Sequence, residues 1–243
     1  MCDRRGGGGL LIIFDLDGTL IDSSADLAIS MNATRRHFAL EPLDPKLIYS
    51  YVGNGAPMLT RRAMPADTSE QQLNNALTFF LNFYRTHALE HTRLYEGIRE
   101  LIEDLSDNGH ELAVLTNKPV RISSDIVSAL GLRERFVRVY GGDSFPHKKP
   151  NPVGILQLMQ DTGACAEETI MIGDSAVDVQ TARNAGIRSC GVLWGFQPES
   201  FAHDKPDSTV SRPEELLSLV SNGTQPPQGN VSMPWPGSSE SGI

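Results

Sequence analysis

The chain has 243 residues, 40% of them hydrophobic, and a formal net charge of −9. That apolar content suffices for one large core or two modest ones and excludes disorder throughout. An acidic chain with scattered Lys and Arg also lacks the basic surface that binds nucleic acid or anionic membrane without specificity.

The Gly6–Gly9 run precedes a strand instead of following one, so residues 1–9 read as a flexible leader and not as a phosphate-cradling loop. The apolar run that follows is too short for a signal peptide, and no stretch approaches the roughly 20 apolar residues that span a bilayer. Cys2, Cys165 and Cys190 are too far apart for a zinc or redox pair and read as free thiols. The expected location is cytoplasmic.

The first predicted strand, Leu10 to Phe14, ends in Asp15-Leu16-Asp17-Gly18-Thr19. Two carboxylates there are costly unless something uses them. The carboxyl ends of parallel strands are where ligands gather, and the spacing of two points Asp15 and Asp17 the same way if the strand continues. A calcium loop is excluded, because its sixth position would be Leu20 and its twelfth Asp26. Taken alone, the segment suits a turn or a helix cap as well as a site.

From Asp22 to Thr92 the pattern is helical, with Leu27, Ile29, Met31 and Phe38, then Leu73, Leu77, Phe80, Leu81 and Tyr84. This predicts a helical insertion over 22–92 with its own apolar interior. Ile98, Leu101, Ile102 and Leu105 then mark a helix that Asn108-Gly109 stops. The next strand, Glu111 to Leu115, ends in Thr116-Asn117-Lys118, and another covers Val137 to Val139. In Lys148-Lys149-Pro150-Asn151-Pro152 the prolines hold the backbone extended and so direct Lys149, and Pro152 opens a helix carrying Leu156, Leu158 and Met159. The strand Thr169 to Ile172 leads into Gly173, Asp174 and, one helical turn on, Asp178, and a last strand covers Ser189 to Leu193. Strands alternating with helices predict an α/β fold with a parallel sheet. The stretch 221–243 is dense in Pro, Gly and Ser and reads as a disordered tail.

The second acidic pair decides between turn and site for the first. Asp15, Asp17 and Asp174 converging from two strands would make a hard oxygen cluster suited to Mg²⁺, with Asp178 supporting it from behind. Thr116, Asn117 and Lys149, taken singly, read as surface turns or solvated charge.

The ordered set Asp15-x-Asp17-Gly18-Thr19, Thr116-Asn117, Lys149-Pro150 and Gly173-Asp174-x-x-x-Asp178 resembles the four motifs of the haloacid dehalogenase superfamily over roughly Leu10 to Val220. That resemblance implies a Rossmann-like catalytic core over 10–21 and 93–220 with an inserted α-helical cap domain over 22–92. It also implies Mg²⁺-dependent attack by Asp15 on a phosphate monoester, with Asp17 as acid and base. Mg²⁺ would be bound by the Asp15 carboxylate, the Asp17 carbonyl and Asp174, and phosphate by Thr116, Asn117 and Lys149.

Val52-Gly53-Asn54-Gly55-Ala56-Pro57 with Arg62, Tyr95-Glu96-Gly97, Thr116-Asn117-Lys118-Pro119 and Gly141-Gly142-Asp143-Ser144 are similar to segments of bacterial phosphoglycolate phosphatases. Glu96 and Trp194-Gly195-Phe196 depart from that pattern. For a small substrate with a carboxylate tail, Arg62, or else Arg61, is the candidate reader, with Asn54 and Gly55 beside it. The alternatives are another small-phosphate phosphatase, a phosphosugar mutase, or a catalytically silent phosphate-binding protein. The last is disfavoured by the presence of both Asp15 and Asp17.

Overall fold

The computed structural model describes residues 9–222. The expected leader and tail therefore lie almost wholly outside the described residues. In chain order the elements are β1 (Leu11–Phe14), β2 (Ile21–Asp22), α1 (Ser24–His37), α2 (Pro45–Tyr49), α3 (Ala56–Ala63), α4 (Glu70–His87), β3 (Arg93–Leu94), α5 (Ile98–Asp107), β4 (Glu111–Leu115) and α6 (Val120–Ala129). There follow β5 (Phe136–Tyr140), α7 (Val153–Thr162), β6 (Thr169–Gly173), α8 (Ala176–Ala185), β7 (Arg188–Val192), β8 (Ser208–Val210) and α9 (Glu215–Asn222). Helix α9 thus runs into the segment expected as tail.

Six parallel strands form one sheet in the order β5-β4-β1-β6-β7-β8. This is the α/β parallel sheet that the alternation predicts, with the Rossmann-like arrangement that the resemblance implies. The edge strand β8 was not expected from the sequence: three residues of which one is buried carry too little pattern. Side chains alternate along β1, so Ile12 and Phe14 enter one apolar cluster with Ile98, Leu101 and Ile126, while Leu11 and Ile13 enter the other with Ile155, Leu158 and Ala182. All four β1 side chains are fully buried, each contributing roughly 1.5–3 kcal/mol. That anchoring fixes where the chain emerges at Asp15.

The chain leaves the sheet and returns along the short antiparallel pair β2–β3, with Ile21 opposite Leu94 and Asp22 opposite Arg93. Between them α1–α4 pack on one another, and a capping box of Ser69 and Gln72 starts α4. The apolar interior of this helical layer is continuous with the sheet: Ile48, Leu59, Phe80 and Tyr84 belong to the cluster that holds Ile12 and Phe14. Only Met64, Leu73 and Ala76 form a separate small cluster there. No helix among the described residues is long and apolar enough to cross a membrane.

Candidate active site

Asp15 is the last residue in sheet register, its N–H donating to the Ile172 carbonyl at 2.9 Å. The chain then folds back, with the Leu20 and Ile21 N–H groups both reaching the Leu16 carbonyl. Gly18 makes this turn at φ +83°, and a Cβ there would collide with the Asp174 carboxylate, so conformation and space both demand glycine. The turn also separates the two acids that strand spacing alone would keep parallel. Asp17 accepts from Ser23 Oγ at 2.5 Å and from Lys118 Nζ at 2.9 and 3.0 Å, whereas Asp15 faces Lys149.

Around Asp15 lie Asp174 and Asp178, one carboxylate oxygen from each of the three falling within 4.8 Å of the others. Lys149 Nζ sits 2.6 Å from Asp178 Oδ1 and 2.9 Å from Asp15 Oδ1, the latter off the hydrogen-bonding direction, so that Asp15 oxygen has no hydrogen bond. All four groups are buried. Burial pushes Asp15 up to about 6; Lys149 opposes this and Asp178 adds to it. Burial, then Asp178 and Asp15, hold Asp174 well above the usual carboxylate range. Lys149 is pulled down by burial but more than restored by Asp15 and Asp178, so it stays a cation.

Three buried carboxylates against one ammonium leave surplus negative charge among hard oxygen donors, which fits a divalent cation such as Mg²⁺. Asp178 is not free to ligate: Oδ1 takes Lys149, and Oδ2 accepts from the Ser175 hydroxyl at 2.7 Å and N–H at 3.2 Å. It therefore holds Lys149 and caps the start of α8. Asp15 and Asp174 are the carboxylates of this cluster that could hold such a cation, the Asp17 side chain being turned to Lys118. Asp174 Oδ2 is itself held by the Phe196 N–H at 2.6 Å.

Thr116 ends β4 buried, its N–H donating to Tyr140 and its Oγ1 accepting from the Lys118 N–H at 3.3 Å. Asn117, expected with Thr116 and Lys149 to bind phosphate, has its side-chain amide engaged by the protein itself. Both N–H bonds of Nδ2 go to backbone carbonyls, Gly53 at 2.9 Å and Lys149 at 3.1 Å, so the side chain ties three segments together. The Gly141–Ser144 turn packs beneath, with Gly142 N–H donating to the Lys118 carbonyl and Asp143 accepting from Val120 N–H.

Between sheet edge and helical layer is a cavity of about 40 Å³, room for roughly three waters. Asp15, Asp17, Thr116, Asn117, Lys118 and Pro119 line its floor, and Val52, Gly53, Gly55, Ala56, Leu59, Phe80, Leu81 and Tyr84 face it from the helical side. The expected arginine readers are not among them. Helix α3 turns Ala56, Leu59 and Ala63 inward, which leaves Arg61 and Arg62 on the exposed face. Arg61 pairs with Glu70 at 2.7 Å, and Arg62 reaches the Tyr51 carbonyl at 3.4 Å. Asn54 also stands off the cavity, its carbonyl accepting from Lys148 Nζ at 2.6 Å, while Gly55 borders it.

Sequence reasoning passed over three contributors. Lys118 is buried and also donates to Tyr84 Oη at 2.6 Å, which brings in Tyr84 from α4. The third is the segment after β7: Trp194 Nε1 donates to the Thr19 carbonyl, Phe196 N–H to Asp174, and Gln197 Nε2 to Ser50 and Val52 carbonyls at 3.1 and 2.6 Å. Gly195 lets it pass, since a Cβ would strike Asp174 and the Gly18 carbonyl. The signal for Lys118 was its place just past a strand's carboxyl end beside Thr116. Nothing local pointed to Tyr84 or Gln197.

Residues 12–192 match the haloacid dehalogenase-like hydrolase family. The chain is 39% identical over 216 residues to a phosphoglycolate phosphatase of Chromobacterium violaceum, covering 87% of this chain and 96% of that one. It is 32% identical to one of Aquifex aeolicus, with 87% and 97% covered. Among solved structures, a predicted phosphoglycolate phosphatase from Haemophilus somnus superposes with a TM-score of 0.83 at 31% identity, over 87% of this chain and 98% of that one.

Proposed function

Given that the chain belongs to the haloacid dehalogenase-like hydrolases and is a phosphoric monoester hydrolase, we propose that it cleaves 2-phosphoglycolate to glycolate and phosphate with Mg²⁺. The observation that carries this reading is the convergence of Asp15, Asp174, Thr116 and Lys149 at the carboxyl ends of adjacent strands, under a helical layer that leaves only a small cavity. We take α1–α4, within 22–92, as a cap domain over the catalytic core formed by 10–21 and 93–220.

In this mechanism Asp15 attacks phosphorus in line, forming an aspartyl-phosphate as the alkoxide leaves. Asp17 protonates the leaving oxygen and later takes the proton of the water that hydrolyses the intermediate, with Lys118 and Ser23 holding it in place. Lys149 and the Thr116 hydroxyl bind the non-bridging oxygens, and Asn117 fixes Lys149 through its main chain. Asp15, Asp174 and the Asp17 carbonyl would hold Mg²⁺, which when bound would supply the charge neutralisation that lets an anionic nucleophile approach an anionic phosphate.

The test is phosphate release from 2-phosphoglycolate with Mg²⁺, with EDTA and in Asp15→Asn. Activity should vanish in the last two, and full activity in Asp15→Asn would sink the mechanism. Across a panel of phosphate monoesters, a substrate turned over much better than phosphoglycolate would overturn the substrate assignment.

A further inference from the structure

We propose that Lys118 and Tyr84 together form the receptor for the substrate's distal carboxylate, making the enzyme selective for phosphomonoesters of small hydroxy acids. The inference rests on the function proposed above and names the residues that read the substrate's tail. Lys118 is the one cation among the described residues that line the cavity, and apart from Tyr84 the wall facing it is apolar or glycine.

The three N–H bonds of the Lys118 ammonium are directed at Asp17 Oδ1, Asp17 Oδ2 and Tyr84 Oη, at 2.9, 3.0 and 2.6 Å. Because Lys118 donates to the phenol, the phenol's own proton has no acceptor among the described residues, although Tyr84 is only 2% exposed. A buried donor left unmatched is costly, and a ligand oxygen removes the cost. Burial raises Tyr84 to about 12, so it arrives as a donor.

The position suits a short tail. With phosphorus at Asp15 and the leaving oxygen at Asp17, the next atoms of a two-carbon ester extend past Asp17 into the cavity, where Lys118 contacts Asp17 and Tyr84 contacts Lys118. A carboxylate there accepts the Tyr84 proton and shares the Lys118 charge; an alkyl tail does neither. Tyr84 comes from α4 and Lys118 from the end of β4, so the receptor is complete only with the helical layer closed on the sheet. The outward-facing arginines of α3 have no part in it.

The experiment compares kcat/KM for 2-phosphoglycolate with that for ethyl phosphate, which has the same carbon frame without the carboxylate. Tyr84→Phe keeps the ring stacked on Phe80 and removes one oxygen. The wild type should prefer the acid, and Tyr84→Phe should cut that preference about tenfold or more, the range of a hydrogen bond to a charged group. Lys118→Gln should cut it further. A wild-type preference for the acid that survives in Tyr84→Phe overturns this inference and leaves the phosphoglycolate reading standing. No preference in the wild type overturns both. Melting temperatures confirm that each variant folds, and if Lys118→Gln does not, Tyr84→Phe decides the matter alone.

Discussion

Asp15→Asn should abolish turnover and, in the absence of metal, make the protein more stable. The Asp15 carboxyl is pushed from 3.8 to about 6 by burial and by Asp178, with Lys149 opposing. Ionising it in the folded protein near neutral pH therefore costs about 3 kcal/mol relative to the unfolded chain. The sign follows from proton counts: between 3.8 and about 6 the folded state holds the proton that the unfolded state has lost, so wild-type stability falls as pH rises across that window. Above it the penalty is complete, and below 3.8 it is absent. Asparagine carries no charge at any of these pH values and keeps the volume. In EDTA at pH 8 the variant should melt roughly 6 to 12 °C higher, as 3 kcal/mol implies for a chain of this size. The difference should shrink toward pH 4, and Mg²⁺ should raise the wild-type midpoint more than the variant's. The assay is thermal unfolding of both proteins across pH 4–8, with and without Mg²⁺. A less stable variant at pH 8, or a difference that ignores pH, would refute the idea that Asp15 is held as an uncompensated buried charge.

Asp178→Ala should destabilise the fold by about 3–5 kcal/mol, because Lys149 loses its shorter partner and α8 its N-terminal acceptor; urea unfolding measures this. Gly18→Ala should cost about 1–3 kcal/mol for the positive φ and lower kcat more than a hundredfold as Asp174 is displaced, read by steady-state kinetics beside a melt. Gln197→Ala removes two bonds from the sheet side to Ser50 and Val52 and should raise KM several-fold while kcat changes less. An unchanged KM would mean that this contact does not hold the helical layer over the cavity.

Much of this site was legible because its signals are local. An apolar run that must be buried on both faces is a strand, and the residue that ends it sits at the sheet's carboxyl edge; that rule puts Asp15, Thr116 and Asp174 at one edge, and the second acidic pair and the order of the motifs were needed to tell a site from a set of turns. Gly18 signals a turn for the same reason, and Asp178 falls one helical turn past Asp174. The α/β architecture needed no more than these patterns and their order along the chain, whereas the reaction class came from the resemblance of the ordered motifs to the haloacid dehalogenase superfamily.

What the tertiary structure decided is which partner each group meets. Lys118 and Asp17 are 101 residues apart, and Lys118 and Tyr84 34 apart, and their contact depends on how α4 seats against the end of β4. The rotation of α3 about its axis turned Arg62 outward, although its chemistry suited a carboxylate. The side-chain amide of Asn117 is engaged by two distant carbonyls, Gly53 and Lys149, which no local pattern announces. Periodicity along a chain sets which residues emerge at an edge, because it depends on backbone geometry within a few residues. The pairing of charges and the face a helix presents arise when separate elements pack, and only the folded arrangement of those elements determines them.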